Sequence, residues 1–592
     1  MSAAALQIRS FVAWVPTPLS ASDDTFAADA TGAALITRRR GQLRVAFIPR
    51  RSDMSVAVGG DDIPDLFLGD GAEINTADFL RNTASGVPIR YDVATAALRV
   101  ATSIVGMPPV FVYRGDAVTA ITSDIHLLLN VPDVRLNFDP VSVVELGQVG
   151  HPIEHRTLFR DLTLVESGAQ LELDANTGSV TIRSSWELPA ASALSWPEFL
   201  EAQLTSFTKT MARMDVGDAF LSLTAGLDTR TVFSALAAQN RLLPAATMSG
   251  PRMSVDAMTA RRLCAAYGVP HHLITFAGDF TAQLPQLIES ASLLSGGLAS
   301  LDQAPEVHLY RQLGSGFRTR LSGNLGNQVG RGGTEGVSVR GAHLPILGSQ
   351  FQEGIKAVQG REHWLLSRLN DSQRSRLQFI LKQETIFTLA SNFSIGNHFA
   401  AQQTPYASRA VIEALAWRPD DSAGAPSGSK LRMRLRDISH RFFGEPENIS
   451  FQLKLVRRNG GFAAQCPVNW GWRPSGGVSV TAFARGGATL AGMFARAKGF
   501  DSGLVERLAQ LHDFRNSRRW LRESLRDYTL DVLRSQRVRD SELFDWNTLQ
   551  PILDEHFTGG KDHYHTVVYA LDLALANQLF ARRSAPRVAV PA

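Results

Sequence analysis

The chain has 592 residues, 44% hydrophobic and 20% charged, which is room for two or more domains and the composition of an ordinary globular protein. A net charge of +4 spread along the chain points to a mildly basic enzyme rather than a nucleic-acid-binding protein. Cys264 and Cys466 are the only cysteines, which excludes a disulfide framework and a cysteine-based zinc site and fits a reducing cytoplasm.

Residues 11–16 are too short for the apolar region of a signal peptide, and no apolar run reaches the roughly 18 residues of a membrane helix. Residues 1–190 read as β-rich. Short β-branched or aromatic runs lie at 44–48, 110–113 and 118–122. Arg114-Gly115-Asp116 separates the last two, so they predict a hairpin. A helical patch covers 140–150. Alternating strands follow at 158–164 and 169–173, and a turn at 174–178 leads to a strand at 179–183. Residues 190–196, rich in Ala, Ser and Pro, read as a linker.

From residue 197 the pattern is mostly helical, with apolar strands at 219–223, 245–248 and 318–321. Strands alternating with helices predict a parallel sheet, whose ligands sit at the carboxyl ends of the strands. Each of these strands runs into a loop of small residues. The first is Thr224-Ala225-Gly226-Leu227-Asp228-Thr229, ahead of a helix with Val232, Phe233, Leu236 and Ala237 on one face. Such a loop presents backbone N–H groups to a phosphate, or is an ordinary βα turn with a polar cap; the local pattern leaves both open. Thr224 and Thr229 add hydroxyls, and Asp228 suits a magnesium ion on the phosphates. The second loop is Ser249-Gly250. The third runs from Ser322-Gly323-Asn324-Leu325-Gly326 through Asn327, Gln328 and Arg331 to Gly333, a second phosphate grip or a surface loop.

Residues 361–418 read as helices, ending at Thr404-Pro405-Tyr406 and Arg409. A Gly/Ser/Pro loop at 420–429 precedes Lys430, Arg432, Arg434 and Arg436, and then Lys454, Arg457 and Arg458 stand before Asn459-Gly460-Gly461. Most of these cations belong to a solvated face. One lysine turned inward would neutralise charge developing beside a triphosphate. The last hundred residues form amphipathic helices at 520–533, 546–556 and 564–580.

This order of motifs resembles the asparagine synthetase family, whose relatives include β-lactam synthetases and lasso peptide cyclases. Residues 224–229 resemble its pyrophosphatase loop, with Thr for Ser at both ends and Ala for the first Gly. Thr247-Met248-Ser249-Gly250, with Asp256, Ala257, Leu263, Gly268, His271 and His272, is similar to its second strand and helix. Residues 321–333 resemble its Ser-Gly-x-Gly-Ala-Asp-Glu loop, and Thr404-Pro405-Tyr406 its Pro-Phe-Leu-Asp element. Lys430 and Arg434 resemble a Lys-x-x-x-Arg element, and Lys454 the lysine near the reacting carboxylate. In the first half, Asp139-Pro140, Thr157-Leu158-Phe159-Arg160, Gly168 and residues 103–124 are similar to the glutaminase domain.

The resemblance implies a two-domain fold of α/β and α+β class. Residues 1–190 would form a degenerate glutaminase-like β-sandwich of the N-terminal-nucleophile type. Residues 196–592 would form an ATP-pyrophosphatase domain with a parallel sheet and a helical C-terminal part. It implies ATP and magnesium, with Asp228 as the main metal ligand and Asn327 as a weaker one. Leu223, Thr224, Ala225, Gly226, Thr229, Gly323 and Arg331 would hold pyrophosphate, and Met248 and Ser249 would meet adenine. Lys454 would stabilise the acyl-adenylate, so that Lys454→Ala abolishes product.

The departures from the pattern matter as much. Ser2 stands where the family has its nucleophilic cysteine, so glutamine hydrolysis is not expected. Asn324, Asn327 and Gln328 replace acids of the third loop, which weakens the metal site. Ala401 stands where the family has a glutamate that supports a general base, with His398 and Glu384 nearby in sequence. The implied chemistry is adenylation of a carboxylate and attack by an amine. Loss of the acid at Ala401, the length of the chain and its basic helical half favour lasso macrolactam closure on a precursor core peptide. A leader-peptide protease and a leader-binding protein are then the expected partners, in the cytoplasm, with no nucleic acid and no membrane. The alternatives are a ligase for a small-molecule carboxylate and a catalytically weakened binding or scaffold protein.

Overall fold

The computed structural model describes residues 6–16, 36–40, 42–49, 63–69, 86–190, 194–331, 341–360, 373–385, 390–416, 451–469, 471–497, 503–509, 511 and 514–580. Ser2, the loop at 420–429, Lys430, Arg432, Arg434, Arg436, Gly333 and the side chains of Arg331 and Glu384 lie outside the described residues.

The first part is built on β1 (Leu6–Pro16), which pairs on both edges. The other strands are β2 (Ile36–Arg40), β3 (Leu43–Pro49), β4 (Leu66–Gly69), β5 (Gly86–Asp92), β6 (Ala97–Ala101), β7 (Phe111–Arg114), β8 (Val118–Thr122), β9 (Leu162–Leu164), β10 (Ala169–Asp174) and β11 (Val180–Ser184). On one edge β1 pairs antiparallel with β3. On the other, Leu6 to Ile8 pair parallel with β4, and Val12 to Pro16 pair antiparallel with β8. The sheet therefore divides at β1 into one wing running β4-β5-β6-β10-β11 and another running β8-β7-β9. Successive side chains of a strand point to opposite faces. Phe11, Ala13 and Val15 join a core with Leu98, Val100, Leu171 and Leu173 of one wing and Val112 and Ile121 of the other. Val12 and Trp14 point the opposite way, into a helical core. The hairpin expected around Arg114-Gly115-Asp116 forms, with Arg114 opposite Thr119.

The second sheet has five strands: β12 (Ala219–Ser222), β13 (Ala245–Ser249), β14 (His271–Thr275), β15 (Thr319–Leu321) and β16 (Ala401–Gln403). Their order is β14-β13-β12-β15-β16, and every neighbouring pair is parallel. Two of the five, β14 and β16, are absent from the sequence pattern, which places residues 401–403 inside a helical stretch. The chain leaves β12 toward β13 and β14, then returns to build β15 and β16 on the other side. The order thus reverses between β12 and β15, the position where open α/β sheets leave a crevice for ligands.

The helices used below are α1 (Pro140–Val149), α2 (Trp196–Arg213), α3 (Leu227–Ala238), α4 (Val255–Tyr267), α5 (Phe280–Leu294), α6 (Ala304–Leu313), α7 (Gly326–Arg331), α8 (Phe451–Asn459), α9 (Trp546–Thr558) and α10 (Tyr564–Phe580). The two halves share one buried cluster: Val12, Trp14, Phe111, Val144 and Phe159 pack with Leu284, Ile288, Tyr569, Leu573 and Phe580. The Tyr569 hydroxyl donates to the Val143 carbonyl across this junction, at 2.7 Å.

Candidate active site

The crevice between β12 and β15 is lined by the first and third small-residue loops. Leu223 is fully buried. Its N–H donates to the Ala246 carbonyl at 3.0 Å, and its carbonyl accepts from Thr247 Oγ1 at 2.7 Å. The chain then turns sharply. Thr224 N donates to Thr229 Oγ1 at 3.1 Å, the two threonine hydroxyls lie 3.0 Å apart, and Gly226 N donates to Thr224 Oγ1 at 3.3 Å. Ala225 N donates to Asp256 Oδ1 at 2.8 Å, so a carboxylate from α4 braces the loop. Gly226 is the N-cap of α3. The first turn of a helix carries N–H groups that no helical bond uses, together with the positive end of its dipole. A helix first turn at the end of a buried strand is the geometry that anion sites use.

The third loop lies directly on this turn. A Cβ on Gly323 would come 2.6 Å from Thr229 N, and one on Gly326 would come 2.6 Å from Asp228 Cβ and Cγ, so only glycine fits at either place. Between them Leu325 has φ 68°, the left-handed region that favours glycine. It stands at the second glycine of the resembled pattern, and its buried side chain belongs to the core beneath the loop. Thr404 Oγ1 donates to the Asn324 carbonyl at 2.7 Å, and the Tyr406 hydroxyl donates to the Asp228 carbonyl at 3.1 Å. Residues from β12, β15 and the turn after β16 therefore meet at Asp228. Asn327 is half-buried at the start of α7, Gln328 beside it is buried, and Arg331 ends that helix.

At the end of β13, Ser249 is buried in its own turn. Its hydroxyl donates to the Arg252 carbonyl at 3.0 Å and accepts from Ser254 N at 2.8 Å, and its carbonyl accepts from Phe276 N at 3.0 Å. Met248 is partly buried beside it. These bonds engage the side chain and carbonyl of Ser249 within the protein.

Lys454 is not brought to the loop. Its ammonium lies 2.9 Å from Glu201 Oε1 of α2, and Arg458 joins the same carboxylate at 3.2 Å. The Lys454 hydrogen bond holds the Glu201 carboxyl below the ordinary carboxylate range. The reason is helical phase: residues two apart face nearly opposite ways. Gln452, two residues before Lys454, is the one that faces the site, and its amide nitrogen lies 2.6 Å from Asp228 Oδ1. The sequence pattern does not single out Gln452.

Arg230 was also missed. It is fully buried on α3 and donates to the carbonyls of Ala225 (3.1 Å), Pro467 (3.0 Å) and Cys466. Burial pulls its guanidinium down to about 10. Carbonyls after the short helix Gly461–Gln465 face it, a favourable place for a cation. Arg230 thus ties that segment to the back of the loop. On the other side of the sheet, Arg320 pairs with Glu306 at 2.6 Å and donates to Ser222 Oγ at 2.7 Å and to the Tyr310 hydroxyl at 3.1 Å. Burial opposes ionisation of Glu306, but Arg320 and Arg515 outweigh it and hold the carboxyl below its ordinary range.

Among the described residues no three His, Cys, Asp or Glu side chains cluster as a metal site. The groups around Asp228 still suit a magnesium ion shared with phosphates. They are oxygen groups: the Asp228 carboxylate, packed against Gly326, and the amide of Asn327, the residue that follows Gly326 in α7.

Fold and site define an α/β protein with a small-residue loop at a topological switch point. Residues 207–384 match the model of the asparagine synthase family. That stretch carries β12 to β15 and both loops, and the match supports the asparagine synthetase family and ATP-dependent amide formation in general. No curated protein matches the chain. No helix among the described residues is long and apolar enough to cross a membrane.

Proposed function

We propose that the protein is an ATP-dependent amide ligase of the asparagine synthetase family that adenylates a carboxylate without hydrolysing glutamine. The observation that carries this reading is the contact of the two small-residue loops at Asp228, in the crevice of a parallel sheet. A free carboxylate acylates an amine slowly because hydroxide is a poor leaving group. Attack of the carboxylate oxygen on the α-phosphorus of ATP forms an acyl-adenylate and breaks the bond to pyrophosphate. The amine then attacks the acyl carbon, the bond to AMP breaks, and the ammonium proton is lost.

The chain's tasks are to position, to balance charge and to exclude water. The first turn of α3, with Thr224, Ala225, Gly226 and Thr229, would hold pyrophosphate, and Gly323 and Arg331 would face it from the third loop. The end of β13 at Met248 and Ser249 would meet adenine. Asp228, helped by Asn327, would hold magnesium, which when bound neutralises phosphate charge.

For the substrate we propose a precursor core peptide whose N-terminal amine and an Asp or Glu side chain are joined as a macrolactam, as in lasso peptides. A leader-peptide protease and a leader-binding protein are the proposed partners. Ala401 supports this choice: it begins β16 and carries no acid for the base that β-lactam formation uses. The test is incubation with ATP, magnesium and a candidate core peptide. Loss of one water by mass spectrometry is expected; an unchanged peptide, with ATP–pyrophosphate exchange on a small acid instead, would move the substrate to that class. The amides at Asn327 and Gln328 favour one second reading, a binding or scaffold protein, which holds if no carboxylate supports exchange.

A further inference from the structure

Beside α4 lies a partly open cavity of about 210 Å³, and the described residues that line it include three arginines and no acid. One wall is a single face of α4. Met258, Thr259 and Arg262 stand three, four and seven residues after Val255, the spacing that stacks side chains along a helix, and Arg261 flanks them. The turn at 467–469 forms a second wall. Arg485, from the helix Val480–Ala497, forms the third and brings Nη1 to 3.9 Å from Met258 Sδ. Ala225 connects these walls to the first loop. Its N–H donates to Asp256, the residue after Val255, at 2.8 Å. Its carbonyl accepts from Arg230 at 3.1 Å, and Arg230 donates also to the Pro467 carbonyl at 3.0 Å.

Arg261, Arg262 and Arg485 are exposed, and among the described residues none of them makes an ion pair. Arg262 lies 5.9 Å from the centre of the Phe462 ring, and Arg485 meets the Met258 thioether, a weak acceptor. Positive charge extends to the turn beside them: burial pushes the Cys466 thiol up, while Arg230, Arg262 and Arg473 pull it down. We infer that this cavity is an oxyanion site, which takes one carboxylate or phosphate group between Arg261, Arg262 and Arg485. Like charges gathered without a counterion repel, and an anion between them removes that cost. Guanidinium groups suit such an anion because their N–H forks match two of its oxygens at once. Thr259 and Asn469 line the same space and bring neutral hydrogen-bonding groups. Size narrows the ligand. Pockets for whole small molecules start at roughly 300 Å³. The smaller cavity here suits one acidic side chain or a phosphate ion, and not a nucleotide. The site stands apart from the amide-ligase reading, since its ligand requires neither ATP nor an activated acyl group.

The test uses the full chain at fixed ionic strength, because salt screens every exposed cation. Phenylglyoxal condenses with accessible guanidinium groups, and peptide mass spectrometry reads its rate at each arginine. Two probes are added separately. One is inorganic phosphate. The other is a short peptide with blocked ends and one glutamate, compared with the same peptide carrying glutamine. For a site of about millimolar affinity, about 10 mM probe should slow Arg261, Arg262 and Arg485 together by about tenfold. Arg183, exposed on β11, should keep its rate. Protection by phosphate alone assigns the site to a free phosphate ion. Protection by the glutamate peptide, and not by its glutamine counterpart, assigns it to an acidic side chain of a polypeptide. No slowing with either probe, or equal slowing at Arg183, would overturn the inference. Arg485→Gln then checks that the three residues act on one anion: protection of Arg261 and Arg262 should fall to about twofold or less. Full protection in that folded variant would place the anion outside this cavity and overturn the inference as well.

Discussion

Asp228 is the residue on which the proposed chemistry depends most. It stands in the first turn of α3, against Gly326, with its carboxylate on Gln452. Asp228→Asn keeps the shape and removes the charge, so ATP–pyrophosphate exchange should fall by about 100-fold or more, the usual cost of losing one charge-stabilising group. Lys454 gives the opposite expectation. The resemblance makes it catalytic, whereas its ammonium is spent on Glu201 at a partly exposed position. An exposed pair contributes less than about 1 kcal/mol. Lys454→Ala should therefore leave the exchange rate within about threefold and the melting midpoint nearly unchanged. A collapse of the rate with stability intact would mean that the lysine leaves Glu201 for the substrate during turnover.

At the scale of elements, the C-terminal helices carry a titration of their own. His556 on α9 is buried, with Nδ1 accepting from His563 N at 3.1 Å. Burial lowers its pKa from 6.5 to about 4, the nearby cations Arg522 and Arg518 add to this, and Asp562 only partly opposes it. Between those values the unfolded chain takes up a proton that the folded chain refuses. The stability is fully present above about pH 6.5 and is lost as the pH falls toward about 4, by up to roughly 3 kcal/mol. Urea midpoints at about pH 7 and about pH 5 should differ for the parent and differ less for His556→Gln. The elements also show what a sequence reveals. The loop at 224–229 was legible because a buried strand, small residues and an amphipathic helix follow one another locally. β16 was not: Ala401, Gln402 and Gln403 include no β-branched residue, and what makes them a strand is pairing with Thr319, Arg320 and Leu321, which lie about eighty positions away. β14 was hidden similarly, by two histidines in a five-residue edge strand. Gln452 and Arg230 could not be found because their partners are distant in the chain and are mostly backbone carbonyls, which leave no pattern.

At the scale of the molecule, the sequence reads as two domains joined near residue 190, yet the largest buried cluster ignores that division. Val12 and Trp14 of β1, Phe111 and Tyr113 of β7, and Val143 and Val144 of α1 meet Leu284 and Ile288 of α5 and Tyr569, Leu573 and Phe580 of α10 in one core. Contact is close enough that a Cβ on Gly354 would lie against the Pro140 carbonyl, and Tyr569 donates its hydroxyl to the Val143 carbonyl. Helix α10 is apolar on nearly every side, as a helix surrounded by protein must be, and the β-rich part supplies one of those sides. Each large side chain stripped from such a core costs roughly 1.5–3 kcal/mol, against a total stability of about 5–15 kcal/mol for an ordinary domain. Exposing half a dozen of them together should exceed what either half retains. Residues 196–592 produced alone are therefore expected to aggregate, or to bind a hydrophobic dye and melt without a sharp transition. Production together with residues 1–190 on a separate chain should restore a soluble complex with a single cooperative transition. A soluble 196–592 fragment that melts like the parent and still performs ATP–pyrophosphate exchange would show instead that the shared core joins two units stable apart.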